Sequence, residues 1–157
     1  MQYNELINGL TEALGITDLT IINGATALEI DDMTLGIFHD EKNDAVKVVV
    51  EFGYPPPDAN GHFGAMLLKA NYLLLATEGA TLCQNPDTDA YGLTACWPLM
   101  ALDVKIFANK IEEFINKAEE WKNTLSGMGE AEDALEEAEM EEEDAMEAIA
   151  AGDFIRI

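Results

Sequence analysis

Leucines recur at every fourth position near the start of the chain. Leu6, Leu10 and Leu14 share a side with Ile7, while Asn4, Glu5, Asn8 and Glu12 take the other. That spacing predicts a short amphipathic helix over residues 3–14, closed by Gly15 just past its end. The period then drops to two. Leu19 to Ile22 and Ala25 to Ile30 flank Asn23-Gly24, a strong hairpin signal. Met33 to His39 follow the tight turn Asp31-Asp32, and Ala45 to Phe52 follow the loop 40–44, completing a four-stranded antiparallel meander. In the last strand Val46, Val48, Val50 and Phe52 oppose Lys47, Val49 and Glu51, the pattern of one core face and one mostly wet face. The earlier strands carry apolar residues on both faces: Leu19 and Ile21 oppose Thr20 and Ile22, and Met33, Leu35 and Ile37 oppose Thr34, Gly36 and Phe38.

After the extended connector Gly53-Tyr54-Pro55-Pro56-Pro57-Asp58 the helical period returns. It predicts a central helix capped by Asp58 or Asn60 and running through Gly64 to Glu78, with Gly79 as its stop. Phe63, Leu67, Ala70 and Leu74 make one stripe, Met66 and Leu73 a second, and Leu68, Tyr72 and Leu75 a third. A helix on one sheet needs a single apolar face. Only Lys69, Asn71 and Thr77 interrupt this one, so a second copy of the chain is expected to cover the excess.

Thr81 to Gln84 and Ala90 to Trp97 predict a further hairpin around the turn 85–89, broken by Pro98. Asp103 then caps a long helix, Val104 to Leu125, whose Phe107, Ile111, Phe114, Ala118, Trp121 and Leu125 step by four and three. Composition changes at Ser126-Gly127-Met128-Gly129. Residues 130–153 hold twelve acids and no Lys or Arg. The expected organisation is an α+β domain over residues 1–126 and an acidic C-terminal tail over 127–157, helical or disordered, with Phe154-Ile155-Arg156-Ile157 as an apolar end.

A formal net charge of −23 argues against nucleic acid and anionic membrane surfaces as partners. It suits a soluble carrier of basic or apolar segments. No apolar run approaches the ~20 residues of a membrane span, and the N-terminal sequence is unlike a signal peptide. A cytosolic protein is therefore expected. Cys83 and Cys96 form neither a disulfide framework nor a zinc pattern. His39 and His62 are the only histidines and sit in no nucleophile motif. Asn60-Gly61-His62-Phe63-Gly64 lacks the third glycine and the lysine of a phosphate loop, and the segment 85–89 lacks the Gly and closing Glu of a calcium loop. No enzymatic activity, metal or cofactor is expected.

Three stretches together carry a resemblance. They are Leu67-Leu68-Lys69-Ala70-Asn71-Tyr72-Leu73-Leu74 with Thr77-Glu78-Gly79-Ala80-Thr81-Leu82; Trp97-Pro98-Leu99-Met100-Ala101-Leu102-Asp103; and the helix 111–121 with its Ala-Glu-x-Trp ending. In the order helix, antiparallel strands, apolar helix, hairpin, helix, residues 1 to 125 resemble the class I chaperones of bacterial type III secretion, the Tir-chaperone family. The resemblance implies a non-catalytic, cytoplasmic bacterial homodimer. It implies binding of the N-terminal segment of a secreted effector, held soluble and export-competent, and delivery to the secretion ATPase or sorting machinery. It places effector binding at Leu6, Leu10, Ile21, Leu35, Ile37 and Phe38. The dimer interface falls on the central helix, at Phe63, Met66, Leu67, Ala70 and Leu74. A regulatory adaptor that sequesters a transcriptional regulator, and an acidic nucleic-acid mimic, are the competing readings.

Overall fold

The computed structural model describes residues 2–17, 19–22, 25–54 and 62–150. Helix α1 (Tyr3–Leu14) begins where the Glu5 carboxylate accepts the Gln2 N–H at 3.0 Å. It ends at Gly15, whose φ of 66° lets its N–H turn back to the Glu12 carbonyl. The strands are β1 (Thr20–Ile22), β2 (Ala25–Ile30), β3 (Met33–Asp40), β4 (Ala45–Gly53), β5 (Thr81–Gln84) and β6 (Tyr91–Pro98). Helix α2 (His62–Ala70) precedes β5, and α3 (Val104–Ala150) follows β6. The Asn23-Gly24 turn, the prolines 55–57, the expected caps Asp58 and Asn60, and the end 154–157 lie outside the described residues.

The α+β class agrees with expectation, but the sheet is larger than a four-stranded meander. It is one antiparallel sheet in the order β1-β2-β3-β4-β6-β5. The second hairpin joins the first because β6 pairs with β4 from Ala45↔Pro98 to Gly53↔Tyr91. Gly92 is required within that pairing: a Cβ there would lie 2.6 Å from the Val50 carbonyl oxygen.

Register carries a single apolar face across the sheet. Leu28, Leu35, Val50, Leu93 and Leu82 stand in one row, directly opposite one another from strand to strand, and all are buried. Two helices close this face. Tyr3 of α1 stacks on His39 with ring centroids 4.7 Å apart, and its hydroxyl donates to the Ile37 carbonyl at 3.2 Å. Trp97 of β6 meets Phe107 and Phe114 of α3 edge-on, each at 6.1 Å. The helices touch at Gly9, where any Cβ would run into the Val104 side chain. Asp103 caps α3 through its carboxylate, which accepts the Ile106 N–H at 2.7 Å.

Two boundaries differ from expectation. The central helix stops at Ala70, eight residues before the expected Glu78; a 3-10 turn over Tyr72–Leu74 follows, with Leu73 and Leu74 at φ 59° and 55°. The physical reason is Asn71, whose side chain is committed to β5, as described below. The long helix, by contrast, passes Ser126-Gly127-Met128-Gly129 without a break and extends to Ala150. The chain divides into two compact units, Met1–Lys122 and Asn123–Ile157.

The β3–β4 turn supplies a pH test. Asp40 accepts Lys47 Nζ at 2.6 Å and Asn43 Nδ2 at 2.8 Å. The Lys47 ammonium, and after it Asn43, hold the Asp40 carboxyl down to about 2 from the ordinary 3.8. A lowered folded-state value stabilises the turn above the unfolded value, and that contribution is lost as pH falls through about 2. The Asp40 and Asn43 NMR signals are expected to titrate near 2; a midpoint near 4 would contradict the pairing.

Candidate functional site

A sheet offers an extended peptide its edge strands, so the state of the two edges decides where one could add. The β5 edge is closed at residues 80 and 82 by its own connector. Asn71 Nδ2 donates to the Leu82 carbonyl at 3.0 Å, and Asn71 Oδ1 accepts the Leu82 N–H at 2.8 Å. Two residues earlier, the Thr77 carbonyl accepts the Ala80 N–H at 3.1 Å and the Thr77 hydroxyl donates to the Ala80 carbonyl at 2.5 Å. One side chain and one short turn thus occupy the outward hydrogen-bonding groups of residues 80 and 82.

The β1 edge is different. Its pairs are Ile22↔Ala25, Ile21↔Thr26 and Thr20↔Ala27. Across a two-residue connection the pair closing the turn exchanges both hydrogen bonds and the next pair none. The N–H and C=O of Ile21 therefore point off the sheet.

The structure separates the six residues named for effector binding. Leu6, Leu10, Leu35 and Ile37 have no accessible surface and belong to the core between α1 and the sheet. Ile21 and Phe38 are exposed, at 57% and 41%, and they stand on opposite faces. Ile21 shares its face with Thr26, Ile37 and Val48, whereas Phe38 shares the other with Ala25 and Lys47. Period-two patterning alone cannot tell a residue sealed under a helix from one at the uncovered rim of the same face.

Around Ile21 a cleft of about 680 Å³ opens between the start of α1 and the loop after β6. Its wall includes the Tyr3–His39 stack, Leu99 and the almost fully exposed Met100, with Glu41 and Asp44 also lining it. None of Tyr3, His39, Leu99 and Met100 was among the sequence-expected site residues. The signal for the last two lay in the Trp97-Pro98-Leu99-Met100 stretch, where Leu99 N–H is fixed to the Asp44 carbonyl at 2.8 Å. On the opposite face the Phe38 ring lies over Gly36, where a Cβ would approach it to 2.9 Å. A second hollow, of about 400 Å³, runs from Phe38 past Val49 and Thr94 to Cys83. Burial raises the Cys83 pKa, which keeps the thiol protonated and unreactive.

The five residues named for the dimer interface also divide. Phe63 and Leu67 are buried within the chain, Met66 and Ala70 are half-buried, and Leu74 is partly exposed. Because the chain turns after Ala70, the open apolar surface consists of Leu68, Tyr72, Leu73 and Leu75, each 69–77% exposed. Lys117 of α3 pins the end of this turn through Glu78 at 2.9 Å.

The remaining polar groups do not converge. His39 lies 3.9 Å from Asp44, and His62 is exposed at the start of α2. Among the described residues no three His, Cys, Asp or Glu side chains are placed to hold a metal ion. The segment 85–89 is a turn built by Asn85, whose Oδ1 accepts the Asp87 N–H at 2.9 Å and whose carbonyl accepts the Asp89 N–H at 2.9 Å. No helix among the described residues is long and apolar enough to cross a membrane. What the arrangement offers is an open β1 edge beside a cleft of mixed polar and apolar lining, and a separate hollow over β3, β4, β6 and β5 on the other face.

A model of the Tir chaperone protein (CesT) family matches residues 5–122. None of the curated protein sequences matches the chain significantly. Among solved structures, the ExsC–ExsE complex contains a similar chain at 16% identity and a TM-score of 0.66, covering 80% of this chain and 97% of that one. The Yersinia pestis type III secretion chaperone SycH, in complex with a stable fragment of YscM2, is similar at 14% identity and a TM-score of 0.60, covering 79% and 99%. A chain of the ExoT–SpcS complex from Pseudomonas aeruginosa is similar at 19% identity and a TM-score of 0.56, covering 75% and 95%. At these identities the likeness is one of fold.

Proposed function

Since the chain belongs to the Tir chaperone protein (CesT) family, we propose that it is a non-catalytic chaperone that binds the N-terminal segment of a type III secreted effector and keeps it soluble and export-competent. The observation that carries this reading is the open β1 edge with the exposed Ile21 on it and the cleft, which Phe38 also lines, beside it. An extended segment paired with β1 would exchange main-chain hydrogen bonds with Ile21 and set alternate side chains into the cleft beside it. Similar folds are found in the HopA1–SchA chaperone–effector complex and in SycH bound to a fragment of YscM2, which supports the same use here. With β5 closed by Asn71 and Thr77, cargo is directed to one edge. The acidic surface keeps an otherwise sticky complex dispersed. Two copies associate through Leu68, Tyr72, Leu73 and Leu75, and the complex is handed to the secretion ATPase or sorting machinery in the bacterial cytoplasm.

The test is capture of the full chain from its native cell. A co-eluting secreted protein whose N-terminal segment resists protease only in the complex is the expected result. The double variant Ile21→Asp, Phe38→Asp is expected to keep its fold, since both side chains are exposed, and to lose at least about tenfold in cargo affinity from two lost apolar anchors. Undiminished capture by a folded variant would overturn the assignment of the site.

A further inference from the structure

The β3–β4 turn presents two carboxylates to the cleft beside Ile21. Glu41 and Asp44 both line it, and no Lys or Arg does. Among the described residues neither makes an ion pair with a lysine or arginine, whereas Asp40 in the same turn is neutralised by Lys47 at 2.6 Å. The frame that holds them is fixed. Asn43 donates to Asp40 from its backbone N–H at 3.3 Å and from its side chain at 2.8 Å. The Asp44 carbonyl accepts the Leu99 N–H at 2.8 Å, which ties this turn to the 3-10 turn carrying Met100.

Behind Asp44 stands an unsatisfied group. His39 Nε2 is buried and has no hydrogen-bond partner among the described residues. Asp44 Oδ1 lies 3.9 Å from it, too far for a bond. A buried polar atom without a partner is costly and marks where a group is missing. The Asp44 side chain is 74% exposed, and a swing of about 1 Å would let it accept from Nε2. A carboxylate has acceptor sites for a second donor as well.

The rest of the lining says what carries that donor. Ile21, Leu99 and Met100 give the cleft an apolar wall, and Glu41 and Asp44 give it an anionic one. In an extended segment, residues two apart point to the same side, about 7 Å from each other. We infer that the cargo segment carries a basic residue two positions from the apolar side chain that fills the cleft, and that this residue pairs with Asp44 and Glu41. His39 touches no cargo: it holds Asp44 in the paired position and is a positioning residue. The inference rests on the β1-edge reading and adds what the bound segment must contain. A chain of net charge −23 attracts any basic peptide; the cleft adds a demand on position.

The probe is a synthetic acetylated and amidated peptide of Ser and Thr with a central Leu and an Arg at the second residue on either side of it. Binding to the full-length chain is read by fluorescence anisotropy at near-physiological salt. One control replaces both Arg by citrulline, which removes the charge and keeps the shape. A second keeps the composition and moves both Arg next to Leu, onto the other side of an extended strand. The first peptide is expected to bind at least about tenfold more tightly than either control. Glu41→Gln with Asp44→Asn should abolish this preference and leave the citrulline peptide unaffected. The NMR signal of His39 Nε2 should shift with the first peptide and not with the citrulline one; a signal that stays put would refute its positioning role. Equal binding of all three peptides, equal binding of the two arginine arrangements, or a preference that survives in the double variant would overturn the proposal. In those cases the edge reading stands if Ile21→Ser still weakens the citrulline peptide, and falls if it does not. No binding of any peptide would overturn both.

Discussion

A chain carrying Leu68→Ser, Tyr72→Ser and Leu75→Ser is expected to sediment as a monomer at micromolar concentration while the parent chain sediments as a dimer. These three side chains are 74–77% exposed within one chain, so removing them takes little from its own core. Across a two-fold interface each would be buried twice. At about 1.5–3 kcal/mol for each large apolar side chain removed from water, losing them raises the dissociation constant by more than about a thousandfold. Circular dichroism should be unchanged. The choice of residues matters, because Leu67 lies on the same helix but is buried against its own chain. A glutamate there would damage the fold and say nothing about assembly. A parent chain of monomeric mass, or a variant whose mass stays dimeric, would refute this interface.

What was legible in the sequence tracks how local the determining physics is. Helix α1 and its glycine stop, the alternation of β4 and the cap at Asp103 all follow from period and end chemistry within a few residues. The joining of the two hairpins was not legible, because β4 pairs with β6 at separations that grow from Gly53↔Tyr91 to Ala45↔Pro98, and local alternation does not name a partner so far along the chain. The central helix was overextended for a related reason. Leu73 and Leu74 have good helix propensity, yet they sit at φ 59° and 55° because the chain must bring Asn71 and Thr77 against β5. In the candidate site, the pattern named two exposed residues, Ile21 and Phe38, together with four that the fold buries. Leu35 and Ile37 on β3 carry the same alternation as any cargo-facing pair, and only the position of α1 above them makes them core. The acidic stretch was read as a helical or disordered tail from its composition, and it continues α3 as helix to Ala150.

Asn71→Leu is expected to destabilise the chain by about 2–4 kcal/mol and to promote self-association. Asparagine is the residue whose side chain offers one amide N–H and one carbonyl oxygen in the geometry of a backbone peptide. Here those two groups stand in for a neighbouring strand, pairing both the C=O and the N–H of Leu82. Leucine matches its size but leaves two part-buried backbone groups unsatisfied, at about 1–3 kcal/mol each. It also uncovers an edge strand, which is a template for pairing with another chain. The urea midpoint should therefore fall while the slope stays constant, and higher-order species should grow with concentration. Asn71→Asp separates the two effects. Its carboxylate can still accept the Leu82 N–H but cannot donate to the carbonyl, so about half the loss is expected. If Asn71→Leu is as stable as the parent, the side chain does not close this edge, and cargo would have two edges to choose between. If it is destabilised without new association, the turn 72–79 still shields β5, and Thr77 at residue 80 is then the group to remove next.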